Sequence, residues 1–235
     1  MDRRTHCKSL AALLGSTTSV LGGCQKNPDL PAVPLPAFSP TRLHTSLESL
    51  RQAYHAKGHN VSKTLLLPLG EDTLRNQCAW FPAPLPPEIV ALYGWRNGQA
   101  KGAWEEESPF WFRDCAFLNI HLAEQEYKSM MSSYGKPEFA VPQIDLATCF
   151  PFAGFNGGWY VFPCKGQSYD KRFLFPIVSV FQGVDIFYYS LESMVDTCTD
   201  WVTQPYYPQE SRDNEIKNMA IWRKHNPGIF PQSGN

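Results

Sequence analysis

Residues 149–164 read CFPFAGF, then Asn156-Gly157, then GWYVFPC. Two apolar runs joined by Asn-Gly are the strongest short-range signal for a two-residue β-hairpin, because that pair tolerates the positive φ angles the tight turn demands. A chain that carries this pattern must build antiparallel sheet. A second strand pair is expected at Ile177–Phe181 and Val184–Tyr189, turning at Gln182-Gly183. The aromatic-rich stretch 110–120 is expected to be extended, and the short apolar run Thr64 to Leu67 is a further strand candidate. With an uninterrupted register set by the Asn156-Gly157 turn, Cys149 falls directly opposite Cys164. Opposed Cβ atoms lie about 4.5–5.5 Å apart, slightly longer than a disulfide wants. The pair is therefore the candidate disulfide for an oxidising compartment, although Pro151 and Pro163 disturb the ladder.

Between and around these strands the apolar residues take helical spacing. Ser39-Pro40 is an N-cap and first-turn pair, followed by Leu43, Leu47, Leu50 and Tyr54 on one face, with Gly58 as the stop. Pro86 and Pro87 open a second helix that carries Ile89, Leu92 and Tyr93 and ends at Asn97-Gly98. A third runs from about His121 to Tyr134 with Ala123, Tyr127, Met130, Met131 and Tyr134 inward, closed by Gly135 and Pro137. Another starts at Ser190, with Leu191, Met194, Val195, Cys198, Trp201 and Val202 as its core stripe, and ends at Pro205. The tail, 209–225, makes one more, capped by Ser211, with Lys224 and His225 in its last turn. The fold class is α+β.

The N-terminal region reads as processing and tether rather than fold. Arg3, Arg4 and Lys8 precede a short apolar stretch, Leu10 to Leu21. It is too short for a bilayer span, which needs about 20 apolar residues. A basic start, a short apolar run and small residues at its end describe an export signal. Its last residues, Leu21-Gly22-Gly23-Cys24, resemble the bacterial lipobox. The resemblance implies a signal peptide over 1–23 and a lipidated Cys24. Gln25, rather than Asp, at the next position favours the outer over the inner membrane. Pro28, Pro31, Pro34, Pro36 and Pro40 then make 24–40 a stiff, extended tether at about 3.1 Å per residue. The expected location is the periplasmic side of the bacterial envelope, lipid-anchored. Five cysteines remain beyond Cys24, an odd number, so at least one is free or pairs between chains.

Composition removes several function classes. The formal net charge is −1 over 235 residues, so no basic field advertises nucleic acid. The sequence holds no G-x-S-x-G, no G-x-x-x-x-G-K-[ST], no H-E-x-x-H and no C-x-x-C. His55 and His59 are four apart, but no third ligand stands near them, and they read as a basic helix C-terminus. No catalytic residue, metal or cofactor is expected.

The stretch LPPEIVALYGWRNGQ resembles the opening signature of the SMI1/KNR4 (SUKH) superfamily, with Leu85-Pro86, Leu92-Tyr93 and Asn97-Gly98 in the family's order. Phe150 to Phe162 resembles the family's strand pair, and Pro176 to Val202 its closing strands and helix. Where the family often ends the return strand with an acidic residue, this chain has Pro163-Cys164, and the tail after 203 has no counterpart. The resemblance implies a mixed, mostly antiparallel sheet flanked by helices over 41–203, with 204–235 as a C-terminal extension. It also implies a binding module, and in bacteria an immunity protein that neutralises a cognate secreted toxin. The anchor points to a toxin that acts on the envelope, such as a lipase or wall hydrolase delivered by type VI secretion. The competing class is an envelope structural lipoprotein or an enzyme of another kind. Candidate toxin-binding residues are Trp104 followed by Glu105, Glu106 and Glu107, an aromatic anchor amid acidic charge, and Tyr206 and Tyr207, expected to be exposed aromatics between Pro205 and Pro208. The alternative for the first group is a core tryptophan beside solvated glutamates.

Overall fold

The computed structural model describes residues 38–100, 111–112, 115–136, 144–155, 157–164, 176–181, 183–209, 211–227 and 229. Among these residues six α-helices surround one five-stranded sheet, and the fold is α+β. The helices are α1 (Pro40–Ala56), α2 (Glu71–Gln77), α3 (Pro87–Trp95), α4 (Ile120–Tyr134), α5 (Leu191–Thr203) and α6 (Arg212–His225). The strands are β1 (Ala116–Phe117), β2 (Cys149–Phe155), β3 (Gly158–Pro163), β4 (Ile177–Val180) and β5 (Val184–Tyr188). They lie in chain order, every neighbouring pair antiparallel. The parallel component is an isolated bridge between Gln99 and Leu118.

Both faces of the sheet are covered. Phe150, Phe152, Phe162, Ile177 and Tyr188 join the main core with Leu43, Leu47 and Leu50 of α1, Ile89 and Leu92 of α3, and Met194, Val195 and Cys198 of α5. Each fully buried leucine there contributes about 1.5–3 kcal/mol relative to exposure. Trp159, Val161, Val178 and Val180 point the other way, onto Met130 of α4. Trp159 is fixed on that face by Glu126, which accepts its indole N–H at 2.5 Å, and by an edge contact with Tyr134.

α1 and α5 run side by side in the same direction. Arg42 in the first turn of α1 pairs with Glu192 in the first turn of α5 at 2.9 Å. Lys57, just past α1, donates to the carbonyl of Gln204, just past α5. Local chemistry starts each helix. The Ser39 hydroxyl accepts from Arg42 N–H, and Ser190 and Ser193 form a reciprocal capping box. α2 was not legible as a helix. It is seven residues long, opened by Gly70 and held by Arg75 on Glu71 at 2.7 Å. The expected strand at 64–67 reduces to one bridge, Leu65 to Gln99, and the extended stretch 110–120 to the two residues of β1 and two flanking bridges.

The tail is integral to the core. Trp222 is 1% exposed and donates to the Phe187 carbonyl, while the amide of Asn226, fully buried, ties four groups together. Its oxygen accepts from Tyr189 N–H and the Ser193 hydroxyl, and its nitrogen donates to Thr197 Oγ1 and the Trp222 carbonyl. Asp200 of α5 receives Lys224 at 2.7 Å and His225 at 2.8 Å.

Gly98 takes φ +68°, and a Cβ there would stand 2.3 Å from Asn119 N. The chain crosses itself at this point because the Asn97 side chain accepts from Ile120 N–H while Asn119 donates to the Gln99 carbonyl. Gly98→Ala is expected to cost about 2–3 kcal/mol in urea unfolding, from left-handed strain and backbone overlap together. A second prediction concerns acid. Burial pushes the Asp200 carboxyl up, but the bonds from Lys224 and His225 outweigh it and hold the group below its ordinary value. A depressed folded pKa stabilises the protein above the unfolded value, about 3.9, and that contribution is lost as pH falls through the folded one. Asp200→Asn should therefore lower the urea midpoint near neutrality and leave a shallower loss of stability between about pH 5 and pH 2.

Candidate functional site

Trp104, Glu105, Glu106 and Glu107 lie outside the described residues, but the two stems of their loop are described. On one side stands Gln99, fully buried. Its side-chain oxygen accepts from Trp111 N–H and Phe117 N–H, both at 3.1 Å, and its nitrogen donates to Thr64 Oγ1. One amide therefore bridges the outgoing stem, the returning stem and strand β1. Ala100 N–H adds a bond to the Thr64 carbonyl at 2.7 Å. A buried amide with both ends used is costly to disrupt, so Gln99, Trp111 and Phe117 are held as one fixed unit.

The returning stem, Trp111, is fully buried and meets a second group of aromatic rings. Its indole lies 5.1 Å from that of Trp95 and 5.9 Å from the ring of Tyr54, whose hydroxyl donates to the Trp111 carbonyl at 3.2 Å. Tyr54 is at the same time edge-on to His59 at 6.4 Å and to Tyr207 at 6.3 Å, and His59 and Tyr207 are 6.1 Å apart. The last turn of α1 is thus a hub. It holds the stem of the acidic loop on one side and the start of the tail on the other. Trp111, just after the segment that holds the first candidate group, and Tyr207, from the second, meet at this one corner.

Tyr206 and Tyr207 are not the free aromatics the sequence led us to expect. Both are half-buried. Tyr207 packs into the hub, and Tyr206 donates to Asn218 Oδ1 at 3.1 Å while Lys217 stands over its ring at 5.2 Å. The prolines on either side signalled an exposed turn, but ring packing on α1 draws the turn inward. Tyr54 and His59 went unrecognised in the sequence, Tyr54 reading as one more core position and His59 as a helix end. A histidine just past a glycine stop, facing a tyrosine-rich tail, carried no signal by itself.

Charge gathers beside the hub as well. Glu48 accepts from the Trp95 indole at 2.8 Å and from Arg51 at 2.6 Å. Burial raises its pKa, but these two bonds prevail and hold it below the usual carboxylate value. Arg96 lies over the Trp95 ring at 5.4 Å.

The candidate disulfide requires a correction of register. Phe155, Gly154 and Ala153 pair with Gly158, Trp159 and Tyr160 as the turn dictates, but the ladder then slips by one between Pro151 and Ala153. Beyond the slip Cys149 faces Pro163, not Cys164. Phe152 is the extra residue, a β-bulge that turns its ring into the core. Cys149 and Cys164 are both free thiols, their sulfurs directed to the Asp145 and Phe162 carbonyls. Burial pushes Cys149 up to about 12 and Cys164 well above the ordinary thiol value. Protonated thiols of this kind are poor nucleophiles.

Elsewhere, a cleft of about 350 Å³ lies between α1, α2 and α3, lined by Pro40, His44, Leu85, Pro87, Val90 and Ala91. The His44 ring is engaged with the Ala91 carbonyl at 2.9 Å. Among the described residues no group of three or more His, Cys, Asp or Glu is placed to hold a metal ion, and no helix is long and apolar enough to cross a membrane. His55 and His59 contribute to no such group. Neither a family model nor a curated protein matches this chain.

The hub yields its own test. Tyr54→Leu removes a ring shared by Trp111, His59 and Tyr207 together with a buried hydroxyl bond. It should cost about 3 kcal/mol in urea unfolding, whereas Tyr54→Phe, which loses only the bond, should cost about 1 kcal/mol.

Proposed function

We propose that this protein is an immunity protein anchored in the bacterial envelope, which binds a cognate secreted toxin and blocks it by covering or distorting it, without chemistry of its own. The observation that carries the reading is the convergence at the end of α1. Trp111, which closes the sequence segment bearing Trp104 and three consecutive glutamates, is bonded to Gln99 and packs in the same aromatic hub that seats Tyr207. Tight inhibitors need an aromatic or arginine anchor on a pre-organised base, ringed by polar groups. The acidic run supplies the rim and draws in a basic toxin surface. The lipobox resemblance at Cys24 and the proline-rich tether put the binder at the periplasmic face of the membrane, the outer membrane in preference to the inner. The SUKH resemblance at Leu85-Pro86, Leu92-Tyr93 and Asn97-Gly98 supports the immunity class. An envelope location favours a toxin that attacks lipid or cell wall, one that a type VI system delivers.

The engaged tyrosines change the division of labour within the corner. Tyr207, half-buried on Tyr54 and His59, supports the surface, while Trp104 is the residue assigned to reach the toxin. Trp104→Ala should weaken binding by about 2 kcal/mol or more, the scale of an interface hot spot. Reversal of Glu105, Glu106 and Glu107 to Lys should chiefly slow association, and more so at low salt. Calorimetry and stopped-flow with a secreted partner captured by pull-down on this protein measure both. Unchanged affinity in both variants places the interface elsewhere. Full protection of cells by a variant that binds no toxin removes the inhibitor reading.

A further inference from the structure

The packed side of α6 is Asn214, Ile221, Trp222 and His225. On the opposite side, helical spacing aligns Arg212, Ile216, Met219, Ala220 and Arg223, and all five are exposed. Ile216 is 64% and Met219 37% exposed, so two of the four exposed large hydrophobics among the described residues share this one stripe. Single apolar residues on a surface need no explanation. Two on the crest of a helix, with an arginine one turn before the first and another one turn after the second, form a small amphipathic patch with cations at its rim. Lys217 and Lys224 flank the crest, and two acidic residues border it, Asp213 on the side of the lysines and Glu215 beside Arg212 and Met219. Lys217 and Lys224 are already partly engaged, over Tyr206 and on Asp200. Arg212 and Arg223 are left as the charges that face outward.

The chain outside the structure indicates the occupant. Residues 25–37 are about 13 residues of proline-rich tether, with a reach of about 40 Å. They enter the fold at Phe38 and the cap of α1. There Arg42 holds Glu192 at the start of α5, and the neighbouring Ser193 holds Asn226 at the end of α6. The tether therefore enters the domain at the end of the α1–α5 pair where α6 finishes. We infer that the outward face of α6 docks on an anionic lipid surface and sets the orientation of the tethered domain. Arginines near anionic headgroups gain electrostatic attraction that fades within a Debye length, and the apolar crest enters the headgroup layer. Alone, so small a patch binds weakly. On a short leash its local concentration at the membrane is high, and weak contact suffices. The inference rests on the lipid-anchor reading of Cys24.

The test is hydroxyl-radical footprinting of the full lipid-bearing protein on two kinds of vesicle, pure phosphatidylcholine and phosphatidylcholine with about one third phosphatidylglycerol. Oxidation of Ile216 and Met219 should fall about threefold on the anionic vesicles relative to the neutral ones. Leu67, 84% exposed and remote from α6 in sequence, is the internal reference and should not change. The double variant Arg212→Glu, Arg223→Glu alters only exposed residues and should abolish the difference. Flotation of the wild type on neutral vesicles, compared with Cys24→Ser, reports on the anchor separately. Flotation that depends on Cys24, with equal oxidation of Ile216 and Met219 on both vesicles, overturns the docking face and leaves the anchor intact. Flotation lost on neutral vesicles overturns the anchor and this inference with it. Protection of the stripe that appears only when a secreted toxin is added assigns the face to that protein instead.

Discussion

The parallel seam between α1 and α5 is the contact on which the rest of the architecture depends. These helices are separated by most of the chain, and they are held in register at both ends, by Arg42 on Glu192 and by Lys57 on the Gln204 carbonyl. Neither polar contact supplies the main energy, since exposed ion pairs are worth little. They fix an alignment that the buried leucines of α1 and the Met194, Val195 and Cys198 stripe of α5 stabilise. The alignment matters because the sheet is a simple meander, with every strand beside its neighbour in sequence. The strands form local pairings, and the α1–α5 seam is what closes the chain on itself.

Closure at that seam also makes the corner. Lys57 and Gln204 mark the ends of the two helices, so whatever follows each helix must leave from the same place. His59 follows α1 and Tyr207 follows α5, and they meet edge-on over Tyr54. Trp111 joins because the Gln99 amide ties its N–H to the strand that begins at Ala116. The corner is therefore a consequence of helix register. A slip of one turn between α1 and α5 would separate Tyr207 from Tyr54 without altering any local sequence preference.

Much of this was legible in the sequence because it was local. The caps at Ser39, Ser190 and Ser211, the stripe from Leu191 to Val202 and the tail helix with its basic end all follow from spacing and capping chemistry, and all stand in the structure. The failures share a cause as well. α2 is too short to show a period, and it exists because its buried Leu74 finds the core. The register that paired Cys149 with Cys164 counted from the turn and assumed no interruption, whereas the bulge at Phe152 is set by what the core can accept from across the sheet. Tyr206 and Tyr207 looked exposed because prolines bracket them, but the burial of Tyr207 depends on α1 and that of Tyr206 on α6. Asn97-Gly98 was read as a helix stop. Its larger role, letting the backbone pass Asn119 at the head of α4, is a tertiary contact that no window of sequence contains.

The segment after 203 ties these threads together. By length alone it passes for an appendage. Asn226 shows otherwise, because a fully buried amide bonds Tyr189, Ser193, Thr197 and Trp222 at once, and all four bonds are lost if it is withdrawn. The same segment supplies Tyr207 to the hub at one end and the exposed crest of α6 along its length. Its anchorage through Asn226 and Trp222 is what allows an inward aromatic and an outward Arg–Ile–Met–Arg stripe to keep a fixed relation. On a mobile tail, neither face would hold a direction relative to the sheet. Fixed as it is, it gives the domain one side that carries the aromatic hub and another that carries cations and apolar side chains, and it couples both to the core.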